Sequence, residues 1–189
     1  MTHLQIAEFT GRYRHVLRRY RRGTDMTSCP VSGYHNASTE IGETTERENE
    51  SGDDRWPHDD KRWPMFCVCG SYWFTEEDHW QNNYVRIFRM PDGTEFQFWG
   101  AFGKCAPVGA MVRAEWADEF YKHRHPQQVD AWIVALPDGG EWVTSQAASG
   151  GGYWTVEGTP PDITVAPSIW HNQPSGWHGF IRAGELVNA

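Results

Sequence analysis

Short segments of apolar and aromatic residues, separated by turn residues, dominate the second half of the sequence. Two pairs of such segments flank a Pro-Asp-Gly turn: 84–89 with 94–99, and 132–136 with 141–145. Aromatic and β-branched side chains favour strands, whereas proline, aspartate and glycine in this order favour a tight turn. Each pair of segments therefore predicts a β-hairpin.

The last forty residues continue this alternation of strand-forming segments and turns. The segments are 153–156, 162–165, 167–170, 177–182 and 186–187. Large aromatic side chains pack well across pleated surfaces, and the chain contains eleven tryptophans. This part of the sequence predicts antiparallel β-structure.

Two segments have helical features. Thr75, followed by three acidic residues and then Trp80, is typical of a capped helix start. Residues 111–122 place five apolar side chains at spacings that suit one helix face: Met111, Val112, Trp116, Phe120 and Tyr121. The predicted fold class is α+β, mostly antiparallel β with one or two short helices.

Length and composition limit the classes of protein. The 189 residues (21.7 kDa) suffice for one full domain, or for a small module joined to one. Mean hydropathy is −0.69, and no apolar run approaches the roughly 18 residues of a membrane span. The first ten residues lack the features of a secretory signal. We expect a protein made in a cytoplasm, without membrane association, whose reduced thiols favour metal over disulfides.

Charge is unevenly distributed within a formal total of −8. Residues 1–22 contain six arginines against one acid, whereas residues 40–60 contain nine acids against two arginines. The acidic stretch has almost no apolar residues with which to offset its ordering entropy. We therefore predict a flexible acidic loop at 36–60 and a basic N-terminal arm at 1–28.

The arginine-rich start has two interpretations. Arginines supply phosphate contacts, so the arm is a candidate for nucleic-acid contact. Tyrosine, valine and leucine are interleaved with the arginines, however. The pattern is therefore explained equally well by a strand or short helix whose basic side contacts the acidic loop or another subunit. We favour an interaction arm over specific nucleic-acid binding.

Three of the four cysteines and one histidine form a complete set of candidate metal ligands. Cys67 and Cys69 precede Gly70, and Cys29 is followed six positions later by His35. Three thiolates and one imidazole would complete a tetrahedral structural zinc site, although His58 or His79 could replace His35. The alternative is that the thiols are reduced, buried apolar groups. We predict a zinc-knuckle-like module at 29–70 and a β-rich domain at 71–189.

Other candidate chemistry is weaker. His171 and His178, like His123 and His125, have no neighbouring acid or nucleophile in the sequence. Residues 150–152 are three glycines that lack the lysine and hydroxyl residue of a phosphate loop, and Cys105 is expected to be a buried small side chain. We therefore predict no catalytic residue and no organic cofactor.

Several short motifs resemble those of a family of uncharacterised proteins carried by actinobacterial phages. The shared motifs are Trp63-Pro64 before Cys67-Val68-Cys69-Gly70, Glu76-Glu77-Asp78-His79-Trp80-Gln81, Pro107-Val108-Gly109-Ala110-Met111, and the ending at 154–165, 167–169 and 177–186. The ending is also similar to that of a broader domain of unknown function associated with metal binding. The resemblance covers residues 60–188. The resembling proteins carry further cysteine and histidine residues in their last third, where this chain has 149–152 and Ser175, so a metalloenzyme site there is disfavoured.

The resemblance implies a non-enzymatic, zinc-stabilised virion structural or accessory protein of the minor capsid or decoration type. Its partners would be other phage proteins or a host protein. It would be made in the host cytoplasm and would then join the virion. The resemblance leaves the oligomeric state open. The alternative is a small accessory protein that binds a host factor or nucleic acid in the infected cell. A metal-dependent hydrolase ranks lowest, because the four ligands would fill the coordination sphere.

Overall fold

The computed structural model describes residues 2–21, 29–45, 57–98, 102–115, 130–146, 152–171 and 176–189. These residues form thirteen strands and one four-residue helix. The elements are β1 (Thr2–His3), β2 (Gln5–Ile6), β3 (Glu8–Tyr20), β4 (Asn36–Thr44), β5 (His79–Arg89), β6 (Glu95–Gln97), α1 (Phe102–Cys105), β7 (Ala110–Arg113), β8 (Trp132–Ala135), β9 (Glu141–Val143), β10 (Thr155–Thr159), β11 (Asp162–Trp170), β12 (His178–Arg182) and β13 (Glu185–Asn188).

The strands form three sheets. Their strand orders are β1-β13-β12-β11-β10, β2-β7-β8-β9 and β4-β3-β5-β6. The pairing of β2 with β7 is parallel, while the pairings within the first sheet and those of β7, β8 and β9 are antiparallel. The prediction of a mostly antiparallel β fold is thus confirmed, whereas the helical part of the α+β prediction is matched only loosely, by the short helix α1 among the described residues.

The chain divides into two compact units. The first comprises Met1–Thr10 and Phe88–Ala189, and the second comprises Gly11–Ile87. The sequence predicted a different division, at 1–28, 29–70 and 71–189. Between Thr2 and Tyr20, all residues of the predicted arm except Leu4 and Ala7 lie in strands, and β3 continues past the first unit boundary at Thr10.

The core of the first unit lies on both faces of the β7–β8 pair. Ala110 and Val112 belong to one buried cluster with Phe88, Phe96 and Phe102. Met111, between them, belongs to another cluster that contains Trp142, Trp154, Ile163 and Trp177. Because successive side chains of a strand point to opposite faces, both faces of this sheet are covered.

This burial explains why the predicted helix at 111–122 is wrong at its start. Met111 and Val112 lie in β7, where a strand covered on both faces reads as an uninterrupted apolar run rather than an alternating one. A run of that kind is easily assigned to a helix. Trp116, Phe120 and Tyr121, the other members of the predicted helix face, lie outside the described residues.

The predicted helix start at Thr75 is also wrong. Residues 76–78 form a turn, and β5 begins at His79. The backbone nitrogen of Thr75 donates a hydrogen bond to Asp78 Oδ2 (2.7 Å), and this carboxylate is buried. An acid three positions after a threonine can close such a turn or lie in the first turn of a capped helix, so the sequence pattern does not distinguish the two.

Both predicted hairpins are present. Met90 N donates to Thr94 O (2.8 Å) across the first turn, and Leu136 N donates to Gly140 O (2.9 Å) across the second. The C-terminal strands are also confirmed, with 162–170 forming one strand rather than two. Among the described residues, no helix is long and apolar enough to cross a membrane.

The first part of the predicted flexible loop at 36–60 is a strand. β4 pairs with β3 from Tyr13↔Thr44 to Tyr20↔Asn36. Arg14 contacts both Glu40 and Glu43 (2.9 Å each), and Arg12 contacts Glu43 (2.5 Å). The acids are thus opposed by the arginines of the neighbouring strand, as the second interpretation of the basic segment anticipated. Residues 46–56 lie outside the described part.

Candidate metal centre

Cys29 and His35 lie on the connection between β3 and β4. Gly33 N donates a hydrogen bond to Cys29 O (2.9 Å), which closes a turn, and Gly33 has a φ of 79°. Glycine adopts this left-handed conformation at little cost. His35 O accepts a hydrogen bond from Arg21 N (3.0 Å), so the histidine stands at the point where β4 starts to pair with the end of β3.

Cys67 and Cys69 lie at the tip of a small hairpin formed by residues 65–74. Cys67 N donates to Tyr72 O (2.8 Å), and Gly70 N donates to Cys67 O (2.8 Å), with Gly70 at a φ of 74°. Below the tip, Phe66 and Trp73 form an antiparallel bridge. Val68 N donates to Asn36 O (3.1 Å), which joins this hairpin to the start of β4.

The four predicted ligand side chains meet at one point. Their ligand atoms all lie within 4.8 Å of one another. Cys29 Sγ is 3.7 Å from Cys67 Sγ, and Cys69 Sγ is 3.6 Å from His35 Nδ1. These side chains, from two chain segments, form a cluster that could hold a metal ion.

The two measured distances match the edges of a tetrahedral zinc site. Zn–S bonds of about 2.3 Å and Zn–N bonds of about 2.0–2.1 Å, at tetrahedral angles, place sulfurs about 3.8 Å apart and sulfur and nitrogen about 3.6 Å apart. Three thiolates and one imidazole are also a donor set of structural zinc sites. The residues present therefore fit a four-coordinate ion without rearrangement of the Cys29–Cys67 and His35–Cys69 pairs.

Nearby hydroxyl groups influence two of the thiols. Ser32 Oγ donates to Cys29 Sγ (3.4 Å), and this hydrogen bond is the main reason that the pKa of Cys29 falls to about 6. A hydrogen bond from Ser71 Oγ (3.1 Å) lowers the pKa of Cys69. Burial, in contrast, raises the pKa of Cys67, whose side chain is inaccessible to solvent. The thiolate form required for metal binding is thus favoured at two of the three cysteines.

The cluster is shielded and its histidine is oriented by packing. Cys29, His35 and Cys67 are buried, and Cys69 is half-buried. The ring of His35 stacks on that of Tyr72, with centroids 4.4 Å apart and an interplanar angle of 15°. Tyr72 Oη in turn donates to Asp78 Oδ1 (3.1 Å) and accepts a hydrogen bond from Arg21. These contacts hold the imidazole with Nδ1 towards Cys69.

The two alternative histidine ligands, His58 and His79, pack against aromatic rings away from the cysteines. His58 stacks on Trp80, with centroids 4.3 Å apart, and His79 stacks on Tyr20, with centroids 5.1 Å apart. Neither belongs to the cluster, so His35 is the fourth ligand that the structure brings together with the cysteines. Cys105, in α1, is half-buried and also outside the cluster.

The supporting residues Ser32, Ser71 and Tyr72 were not predicted from the sequence. The two serines lie three positions after Cys29 and two positions after Cys69, and such a hydroxyl close to a cysteine is the signal that could have identified them. No comparable sequence signal exists for Tyr72, because it stacks on His35, which belongs to another segment of the chain.

His171 has no acid beside it in the sequence, but the fold brings it to Asp138, 33 positions earlier in the chain. His171 Nδ1 donates to Asp138 Oδ2 (2.7 Å), which also accepts from Trp177 N (2.7 Å). The imidazole lies so close to Gly140 that a Cβ there would be 2.1 Å from His171 Cε1. The contact fastens the β8–β9 turn to the end of β11. His123, His125 and the first two of the three glycines lie outside the described residues.

The arginines of β3 have protein partners. Arg18 donates a hydrogen bond to Tyr34 Oη, and the side chain of Arg19 is buried against aromatic rings. The guanidinium carbon of Arg19 lies 3.7 Å from the centroid of Trp80, and Nη2 donates to Thr75 O (2.5 Å). Together with the ion pairs of Arg12 and Arg14, these contacts occupy four of the six arginines that the sequence offered for phosphate binding, of which Arg22 lies outside the described residues.

Comparison with known proteins gives no match: no family model, no curated protein and no solved structure is significantly similar to this chain.

Proposed function

We propose that this chain is a zinc-stapled, non-enzymatic phage protein that acts through protein–protein contacts, as a virion component of the minor capsid or decoration type. The observation that carries the proposal is the four-ligand cluster of Cys29, His35, Cys67 and Cys69. Four protein ligands leave no coordination position for a substrate or a reactive water. The role supported for the cluster is therefore to hold two segments of the chain together.

The phage assignment and the virion role come from the sequence motifs at 60–188, above all the ending at 154–165 and 177–186. Two features of the described residues support a contact protein over the alternatives. The arginines of β3 are engaged by Glu40, Glu43 and aromatic rings, which disfavours nucleic-acid binding by this segment. The closed ligand set disfavours a hydrolase that uses metal-bound water.

Two measurements test the proposal separately. Elemental analysis of the purified chain should give one zinc per chain, and a chain that carries no metal contradicts the staple. Mass spectrometry of purified phage particles should detect the protein, and its absence from particles contradicts the virion role while leaving the staple intact. Strong, salt-sensitive DNA binding by the full chain would favour the nucleic-acid alternative.

A further inference from the structure

The two segments that carry the candidate metal ligands also carry exposed apolar side chains. Among the described residues, five large apolar side chains that are 52–67% exposed come from the two ligand-bearing segments: Val31, Met65, Phe66, Val68 and Trp73. We call these five residues the knuckle patch. The largest exposed apolar patch of a monomeric protein often marks an interaction site.

The hairpin geometry separates the patch from the ligands. Phe66 and Trp73 are bridge partners, and their ring centroids are 5.6 Å apart. Because side chains alternate along a strand, Phe66 and its bridge partner Trp73 point away from the face on which Cys67 lies. One face of the hairpin thus supplies thiols to the cluster, while the opposite face carries the exposed rings.

The size of the knuckle patch agrees with one side of a stable interface. With aromatic side chains of about 150–250 Å² each, the exposed parts of the five residues amount to roughly 500 Å². A standard interface buries roughly 800 Å² per partner, of which about 60% is apolar, again roughly 500 Å². The patch therefore supplies the apolar core of a complete interface, with tryptophan, phenylalanine and methionine, which interfaces favour, at its centre.

The absence of charged side chains from the two segments that form the patch indicates what covers it. Residues 29–35 and 63–74 contain no aspartate, glutamate, lysine or arginine, although the whole chain has a formal charge of −8. A charged partner would be recognised by opposite charges, which these segments lack. An identical patch from another copy fits instead, because two uncharged surfaces can meet about a two-fold axis without placing like charges opposite each other.

We propose that the knuckle patch is the interface of a homodimer, in which Trp73 and Phe66 of one copy pack against the same residues of a second copy. This inference rests on the proposed staple, since Val31 comes from the Cys29 segment and the other four residues come from the 65–74 hairpin. Joining the two segments through the metal assembles a patch that neither segment provides alone.

Sedimentation velocity of the full zinc-loaded chain over a dilution series tests the dimer. The sedimenting species of the wild-type protein should have twice the 21.7 kDa mass of one chain. Trp73→Ser should raise the dissociation constant about thirtyfold or more, as expected for truncation of an interface hot spot. Phe66→Ser should act in the same direction, and it serves as the second variant if Trp73→Ser folds poorly.

Trp170→Ser is the matched control, because Trp170 is also exposed but lies in β11, outside the patch. It should leave the dissociation constant unchanged. A wild-type chain that stays monomeric at the highest soluble concentration overturns the proposal, whether or not it binds vesicles or another protein. Equal dissociation constants for Trp73→Ser and Trp170→Ser overturn it too. Zinc content measured on each sample separates the two ideas: a zinc-free chain that dimerises through Trp73 contradicts the staple and supports the interface.

Discussion

The thiol sulfurs of Cys29 and Cys67 lie 3.7 Å apart, although 38 positions separate the two residues in the chain. Two thiolates at this distance repel each other unless a cation lies between them or a proton is shared. The pKa of Cys29 is lowered while burial raises that of Cys67, so the pair is arranged for one thiolate and one thiol when no cation is present. A metal ion held by both sulfurs would displace the second proton and cross-link the two segments.

Replacement of a single buried ligand should therefore remove the cross-link. We expect Cys67→Ser to abolish zinc binding and to lower the free energy of unfolding of the second unit by several kcal/mol, a part of the about 10 kcal/mol that a structural zinc site contributes. Elemental analysis and thermal unfolding measure both effects. Cys105→Ser, which changes a thiol outside the cluster, should alter neither. Unchanged zinc content in Cys67→Ser would contradict the assigned ligand.

The identity of the nitrogen ligand can be tested with three histidines. His35→Ala should release zinc to a colorimetric chelator much faster than the wild-type chain, because its Nδ1 is the nitrogen beside Cys69 Sγ. His58→Ala and His79→Ala should retain zinc, since their rings stack on Trp80 and Tyr20. Rapid release from His58→Ala with slow release from His35→Ala would reverse the assignment.

The ligand set illustrates what the sequence can predict. Cys67, Cys69 and Gly70 form a local motif whose turn requires the glycine, so the spacing alone identifies the hairpin tip. The choice among His35, His58 and His79 depends on which imidazole reaches the thiols after folding. The short spacing between Cys29 and His35 favoured His35, but only the fold shows which imidazole lies beside the thiols.

The errors in the fold prediction have a related cause. The predicted helix began at Met111, which lies in β7 (Ala110–Arg113). A strand that is buried on both faces lacks the alternation of apolar and polar residues by which strands are recognised, so it was mistaken for a helix. Glu40 and Glu43 were assigned to a flexible loop because their charges were counted without Arg12 and Arg14, which lie opposite them on β3. Hairpins with a Pro-Asp-Gly turn were predicted correctly, since their determining contacts are between near neighbours in sequence.

Arg19 should contribute to stability as a buried side chain. Burial lowers the pKa of Arg19, yet the guanidinium is held by the face of Trp80, at 3.7 Å, and by Thr75 O. We expect Arg19→Met to lower the free energy of unfolding by about 2–4 kcal/mol, because it removes a charge-assisted hydrogen bond and a desolvated cation–π contact. Chemical denaturation measures the change.

Arg12→Met is the matched comparison on the same strand. Arg12 is paired with Glu43 at a partly exposed site, so its replacement should change the free energy of unfolding by less than about 1 kcal/mol. Equal effects of the two substitutions would show that burial of Arg19 brings no net stabilisation.

Asp138 should make the first unit sensitive to acid. Burial alone would raise the pKa of Asp138, but hydrogen bonds from Trp177 N, His171 and Gly140 N outweigh it and hold the pKa below the ordinary value of 3.8. A carboxylate with a lowered pKa stabilises the fold above its unfolded-state pKa, and this contribution is lost as the pH falls below 3.8 towards the folded-state value.

Asp138→Asn should therefore lower the free energy of unfolding by about 2 kcal/mol at neutral pH and flatten its decline below pH 3.8, since the amide cannot titrate. Asp92 occupies the corresponding position in the other Pro-Asp-Gly turn, and the hydrogen bond from Thr94 N lowers its pKa. Asp138 accepts two further hydrogen bonds, from His171 and from Trp177 N, so Asp92→Asn should have a smaller effect. Denaturant unfolding between pH 2 and pH 7 compares the two variants. An acid dependence of stability in Asp138→Asn as steep as that of the wild-type chain would exclude Asp138 as its source.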